Sequence, residues 1–205
     1  MRPEQSGYRG PATIDIFYDE LRFTIKPLYE YELSGLVVAK TDYTLFADND
    51  VAAVVPVDLC IVWGTNLERG IHNHPSTDFW QRMRWCYWQS EVPIDATEIA
   101  NNHLVVNDER IRDALTDLSL GDQVRLRGQL IELWAHTPAG EQRKAYASST
   151  SRDDTRGGAC EVIYVREAEL LRRGNPISYW THRIGLWSLG LWSCTWLVLR
   201  LVRRG

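Results

Sequence analysis

Three groups of residues have the types and spacing to do chemistry. The first closes a polar stretch from Ser149 to Glu161, in which Arg152, Asp153, Asp154 and Thr155 precede Gly157, Gly158 and Cys160. A thiol beside acids and glycines suits a shaped loop at a site. With His103 as its base and Asp153 or Asp154 orienting the imidazole, Cys160 would be a nucleophile for acyl or thiol chemistry. The same residues have a plainer use, which is the one expected. Asp153, Asp154 and Thr155 build local turns, the glycines supply positive φ, and Cys160 enters a core strand. The second group, Asn101-Asn102-His103, is expected to satisfy backbone groups before a helix. In the third, His72-Asn73-His74 with Asp78 could hold a metal weakly, but no third firm ligand can be named and no metal or other cofactor is expected. P-loop, G-x-G-x-x-G, G-x-S-x-G and H-E-x-x-H strings are absent from the sequence.

The elements that must position these residues read mainly as β structure. Short β-rich runs separated by turn residues predict strands at Leu33–Lys40, Val54–Trp63, Phe79–Gln89, Gln123–Trp134, Lys144–Ser149 and Ala159–Val165. In the clearest of them Val124, Leu126, Gly128, Leu130 and Trp134 share one face, and Gln123, Arg125, Arg127 and Gln129 take the other. Gly128 in mid-strand marks a bulge or a sharp coil. Ile111, Leu115 and Leu118 predict one helix over Asp108–Leu118, capped by Asn107. Strands with one inserted helix give the outline of a small antiparallel β barrel of the OB type. Residues 1–30 then form a lead-in, with Pro27 as a break, and 31–175 the β-barrel domain.

Composition narrows the function classes. The chain has 205 residues, 44% of them hydrophobic, which excludes wholesale disorder and allows one sizeable core. Four arginines and no acid lie in 180–205, so the net charge of −4 becomes −8 for the body. A body of that sign repels phosphate backbones, and nucleic acid is not the expected partner. Cys60, Cys86, Cys160 and Cys194 form no C-x-x-C pair, and free buried thiols suited to a reducing cytoplasm are expected. Residues 180–205 read as a C-terminal membrane anchor. Its apolar run, Ile184–Val202, is 19 residues long and carries Trp187, Trp192, Trp196 and, near its end, Arg200. At about 1.5 Å per residue it would cross a bilayer as a helix. A tail-anchored protein in the inner (cytoplasmic) membrane with its body in the cytoplasm is therefore expected, its small residues allowing self-association.

Four segments, DLCIVWGTN (Asp58–Asn66), IANNHLVVNDE (Ile99–Glu109), GDQVRLRGQLIELW (Gly121–Trp134) and SSTSRDDTRGGACEVIYVREAELL (Ser148–Leu171), resemble those of an uncharacterised bacterial protein family. The resemblance implies a bacterial source and a recurrent fold, and no activity. The expected function is accordingly a membrane-tethered binding or assembly protein. Trp85, Tyr87 and Trp88, with Arg152 and Asp153, would present an aromatic and polar surface to a protein partner. The alternatives are a cysteine hydrolase or transferase using Cys160 and His103, and a single-strand nucleic-acid binder that stacks bases on the aromatic strand.

Overall fold

The alternating stretches of the sequence become two long strands around which the other elements are laid. A computed structural model describes residues 2–44, 47, 49–137, 139–151, 153–155, 160–174, 184, 185, 188 and 192. In chain order the first strands are β1 (Glu4–Gly7), β2 (Ile14–Tyr18), β3 (Leu21–Asp42) and β4 (Val57–Val62), followed by helix α1 (Gly64–Glu68). Next come β5 (Asp78–Arg82), β6 (Trp85–Gln89), β7 (Ile99–Val105) and helix α2 (Glu109–Thr116). The last strands are β8 (Gln123–His136), β9 (Gln142–Ala147) and β10 (Glu161–Arg172).

Eight strands make one sheet, with path β1-β3-β4-β7-β10-β8-β9, β2 also pairing with β3, and a further ladder between β3 and β8. All pairings are antiparallel except that of β7 with β10. The protein is thus mainly β, as expected. The plain closed barrel is corrected to an eight-stranded sheet, because β3 and β8 outrun their neighbours and take on β1, β2 and β9 as edge strands. Residues 1–30 are no mere lead-in, since they supply β1, β2 and the start of β3. Pro27 does not break β3; it sits at a register shift in the ladder to β8, where a missing N–H is tolerated.

Two further differences bear directly on the site. The run Phe79–Gln89 is a separate two-stranded hairpin, because Met83 and Arg84 adopt left-handed φ of 50° and 64° and reverse the chain. Asn101-Asn102-His103 lies within β7, a central strand whose seven residues are all buried. Helix α2 forms as expected, with Asp108 rather than Asn107 accepting the N–H groups of Arg110 and Ile111.

One core cluster joins the inner faces of β3, β4, β7, β8 and β10, through Leu33, Leu59, Leu104, Leu126 and Ile163, to Leu115 of α2. Period two then puts the alternate residues of β4, β7 and β10 on the opposite face. There a second cluster gathers at one end around Val105, Val162 and Ile131, and a third at the other end around Cys60, Val62 and Ile99. Phe79, Cys86 and Trp88 of the hairpin pack on the third cluster. Cys60 and Cys86 consequently meet as a disulfide with Cα atoms 5.7 Å apart, correcting the expectation of free thiols; Cys160 is free.

Among the described residues no helix is long and apolar enough to cross a membrane. Most of the expected anchor, including Trp187, Trp196 and Arg200, lies outside the described residues. Ile184, Gly185, Ser188 and Trp192 are helical.

Gly128 illustrates how tightly the strands meet. It pairs with Val165 of β10, and a Cβ built on it would run into the Tyr164 carbonyl oxygen. Gly128→Ala is expected to force β8 and β10 apart and to destabilise the fold by about 1–3 kcal/mol. Urea unfolding of both proteins measures this, and equal midpoints would show that the strands yield freely.

Candidate active site

The site lies between the second and third clusters, where the sheet face turns polar. Register dictates its composition. Asp58 of β4 pairs with His103 of β7, and Cys60 of β4 pairs with Asn101 of β7. On the other side of β7, Val162 pairs with His103. Two residues before Val162 on its strand, Cys160 comes level with Asn101 on the same face. One row therefore reads Asp58 to His103, and the next reads Cys60, Asn101, Cys160.

Asp58 is fully buried, a position a carboxylate occupies only when its charge is met. His103 Nδ1 donates to Oδ1 at 2.9 Å, and the Tyr43 hydroxyl donates to Oδ2 at 3.1 Å. Arg84 Nη1 stands 3.6 Å from Oδ2. Arg84 reaches this point from the hairpin turn with its guanidinium 3.8 Å from the centre of the Tyr43 ring. Each left-handed residue in that turn costs about 1–2 kcal/mol. The hairpin's packing, its disulfide and the burial of Arg84 hold the strain in place.

His103 is likewise buried. Tyr146 of β9 stacks on its ring with centroids 4.7 Å apart, which fixes the imidazole plane. The Nδ1–H bond to Asp58 directs Nε2 toward Asn101 Nδ2, 3.4 Å away, and toward Cys160 beside it. Burial disfavours the imidazolium, but the bonds to Asp58 and Cys160 outweigh it and raise the His103 pKa from 6.5 to about 9. Asn101 Nδ2 donates to Cys160 Sγ at 3.4 Å and to the Arg84 carbonyl at 2.9 Å. Its Oδ1 accepts from Gln81 of the hairpin at 2.9 Å. Cys160 itself is only partly buried, and its carbonyl accepts from the Ser149 N–H. The result is a reachable thiol backed by a buried imidazole and carboxylate, the arrangement that activates a nucleophile.

The structure thus brings together Cys160 and His103 but gives the orienting role to a different acid. Asp153 is exposed and pairs with Arg2 at 2.9 Å, while Asp154 accepts from Ser149 Oγ, so neither orients His103. Arg152 lies outside the described residues. Trp85 and Tyr87 face outward on the hairpin, Tyr87 stacked with Trp80, but Trp88 packs inward on the third cluster, so the three share no single surface. His72 bonds Asn73 and His74 bonds Ser76. Among the described residues no group of three metal-ligating side chains is present.

Asp58, Arg84 and Tyr43 escaped the sequence reading, which gives Asn101 a helix-entry role. Asp58 carried a signal, being the single charge within the apolar run Val54–Trp63, where a carboxylate is anomalous unless it has a partner. Compared with known proteins, the chain matches no family model, no curated protein and no solved structure. The resemblance to a bacterial family rests on the four segments alone.

The raised pKa has a stability consequence of definite sign. A folded value above the unfolded one adds stability that is complete below about 6.5 and is lost as pH rises through about 9. The loss is expected to be on the order of 3 kcal/mol. Asp58→Asn, which removes the main partner of the imidazolium, is expected to flatten this dependence. Urea midpoints measured between neutral and alkaline pH, with an NMR titration of the His103 ring, check both. A ring that titrates near the unfolded value would contradict the geometry.

Proposed function

We propose that the protein is a cysteine-dependent acyl hydrolase or transferase in which Cys160 is the nucleophile, His103 the general base and acid, and Asp58 the orienting carboxylate. The observation that carries this reading is the line Asp58–His103–Cys160 across three adjacent strands, fully buried at the acid end and half-buried at the cysteine. The thiol proton passes to His103 Nε2. The thiolate attacks the carbonyl carbon of an ester or thioester, forming the S–C bond, and the carbonyl π electrons move to oxygen. Asn101 Nδ2, within reach of the sulfur, is the side-chain donor suited to that developing oxyanion. On collapse the leaving group takes the proton from His103, and water or another acceptor later cleaves the thioester in the same manner.

The finer fold reading is part of the proposal. The succession β3-β4-β7-β10-β8, the parallel β7/β10 pair, α2 between β7 and β8, and the second pairing of β8 with β3 support an OB-like arrangement. A membrane tether through Ile184–Val202 would confine the reaction to the bilayer surface. A disulfide suits an oxidising compartment, or a cytoplasmic protein that responds to redox state. The second option keeps the body on the cytoplasmic side and fits the site.

Binding of a protein partner is the other reading, and the exposed Trp80, Trp85 and Tyr87 on the outer face of the hairpin favour it. The two separate in one experiment with p-nitrophenyl acetate and intact-mass detection. Acetylation of Cys160 at a rate well above that of the unfolded chain is expected, with none in Cys160→Ala. His103→Gln should slow it by about 10²–10⁴-fold. A Cys160 that acylates no faster than in the unfolded chain would remove the enzymatic reading and leave the binding one.

A further inference from the structure

The hairpin that covers the site is fastened at one place by a bond that can be broken chemically. Gln81 and Cys86 are directly opposite one another in the hairpin, and Cys60 and Asn101 are directly opposite one another in the sheet beneath. Gln81 bonds Asn101, and Cys86 is joined to Cys60, so both links fall on one patch, next to the turn that carries Arg84. Cys60 is fully buried and Cys86 half-buried, so a reductant reaches the disulfide from the Cys86 side. The turn beyond it is strained at Met83 and Arg84. The strain favours release once the fastening is gone, against the attraction of Arg84 for the buried Asp58 carboxylate.

Resting on the cysteine reading above, we infer that the Cys60–Cys86 disulfide is a redox clamp that holds Arg84 on Asp58 and thereby sets the ionisation of the Cys160–His103 pair. A dithiol reductant supplies two electrons and two protons. The S–S bond breaks, Cys60 and Cys86 become thiols, and the reductant closes to its own disulfide. The hairpin then lifts and takes the guanidinium with it.

Among the described residues, the groups facing the pair are Asp58 on β4, Tyr43 after β3, Arg84 on the hairpin, Asn101 on β7 and Tyr146 on β9. Arg84 is the one permanent cation among them. Its positive charge favours an anion at Cys160, so removing it takes away that attraction and slows reaction of the thiol at a given pH. The oxidised protein is the form poised for chemistry near neutrality, and the reduced one is the quiet form.

The test is the rate at which iodoacetamide labels Cys160 as a function of pH, read by peptide mass spectrometry on the full chain. Three proteins are compared: the disulfide-bonded protein, the Cys60→Ala, Cys86→Ala double variant, and Arg84→Gln with its disulfide intact. Both variants are expected to move the acid limb of the profile upward by about one pH unit, as loss of one nearby charge does. A shift in Arg84→Gln alone overturns the clamp, since Arg84 would then stay in place without the disulfide. An unshifted Arg84→Gln profile overturns the link between Arg84 and the pair. Hydrogen exchange in β5 and β6 reads the clamp independently of the cysteine chemistry. Faster exchange on reduction is expected, and unchanged protection overturns the clamp whatever Cys160 does. Labelling of the oxidised protein no faster than the unfolded chain overturns the enzymatic reading instead.

Discussion

The burial of one carboxylate, Asp58, organises the polar face of the sheet. A charge removed from water costs several kcal/mol unless it is matched, and here the matching groups come from distant parts of the chain. His103 approaches from the adjacent strand, Tyr43 from the end of β3, and Arg84 from a hairpin that lies outside the sheet altogether. Each of these needs its own support. His103 needs β7 in the middle of the sheet and the ring of Tyr146 above it, and Arg84 needs a strained turn held down by packing and a disulfide. Deleting any one partner leaves a buried charge short of compensation, which is why the cluster stands or falls as a unit.

The same requirement generates the chemistry. A carboxylate bonded to Nδ1 fixes the imidazole tautomer and stabilises its protonated form, and the opposite nitrogen faces Asn101 Nδ2 and Cys160.

Much of the sheet was legible from pattern. The alternation in Gln123–Trp134 and the apolar run near Val54 gave β8 and β4 within a few residues, the run Leu33–Lys40 gave only the second half of β3, and the spacing of Ile111, Leu115 and Leu118 gave α2. What failed was polar sequence in buried places. Asn101-Asn102-His103 looked like a helix entry because amides usually serve there, whereas in β7 Asn102 turns inward to backbone carbonyls and Asn101 and His103 turn outward to the site. Within Phe79–Gln89 neither Gly nor Asn marked a turn, so a hairpin reversed by Met83 and Arg84 read as one strand. The pairing of Cys60 with Cys86 depends on that hairpin folding back over β4, and no spacing rule could supply it. Cys160 and His103 were named together from residue type alone. Asp58 was missed because long-range register, rather than proximity in sequence, makes it their partner.

The central claim is that Asp58 holds His103 as an imidazolium beside Cys160 near neutral pH. Its most direct measurement is the NMR titration of the His103 ring in the oxidised protein and in Asp58→Asn. The account predicts a ring that gives up its proton only near pH 9, and at distinctly lower pH in Asp58→Asn. A ring that titrates near 6.5, or one unmoved in Asp58→Asn, would contradict the account.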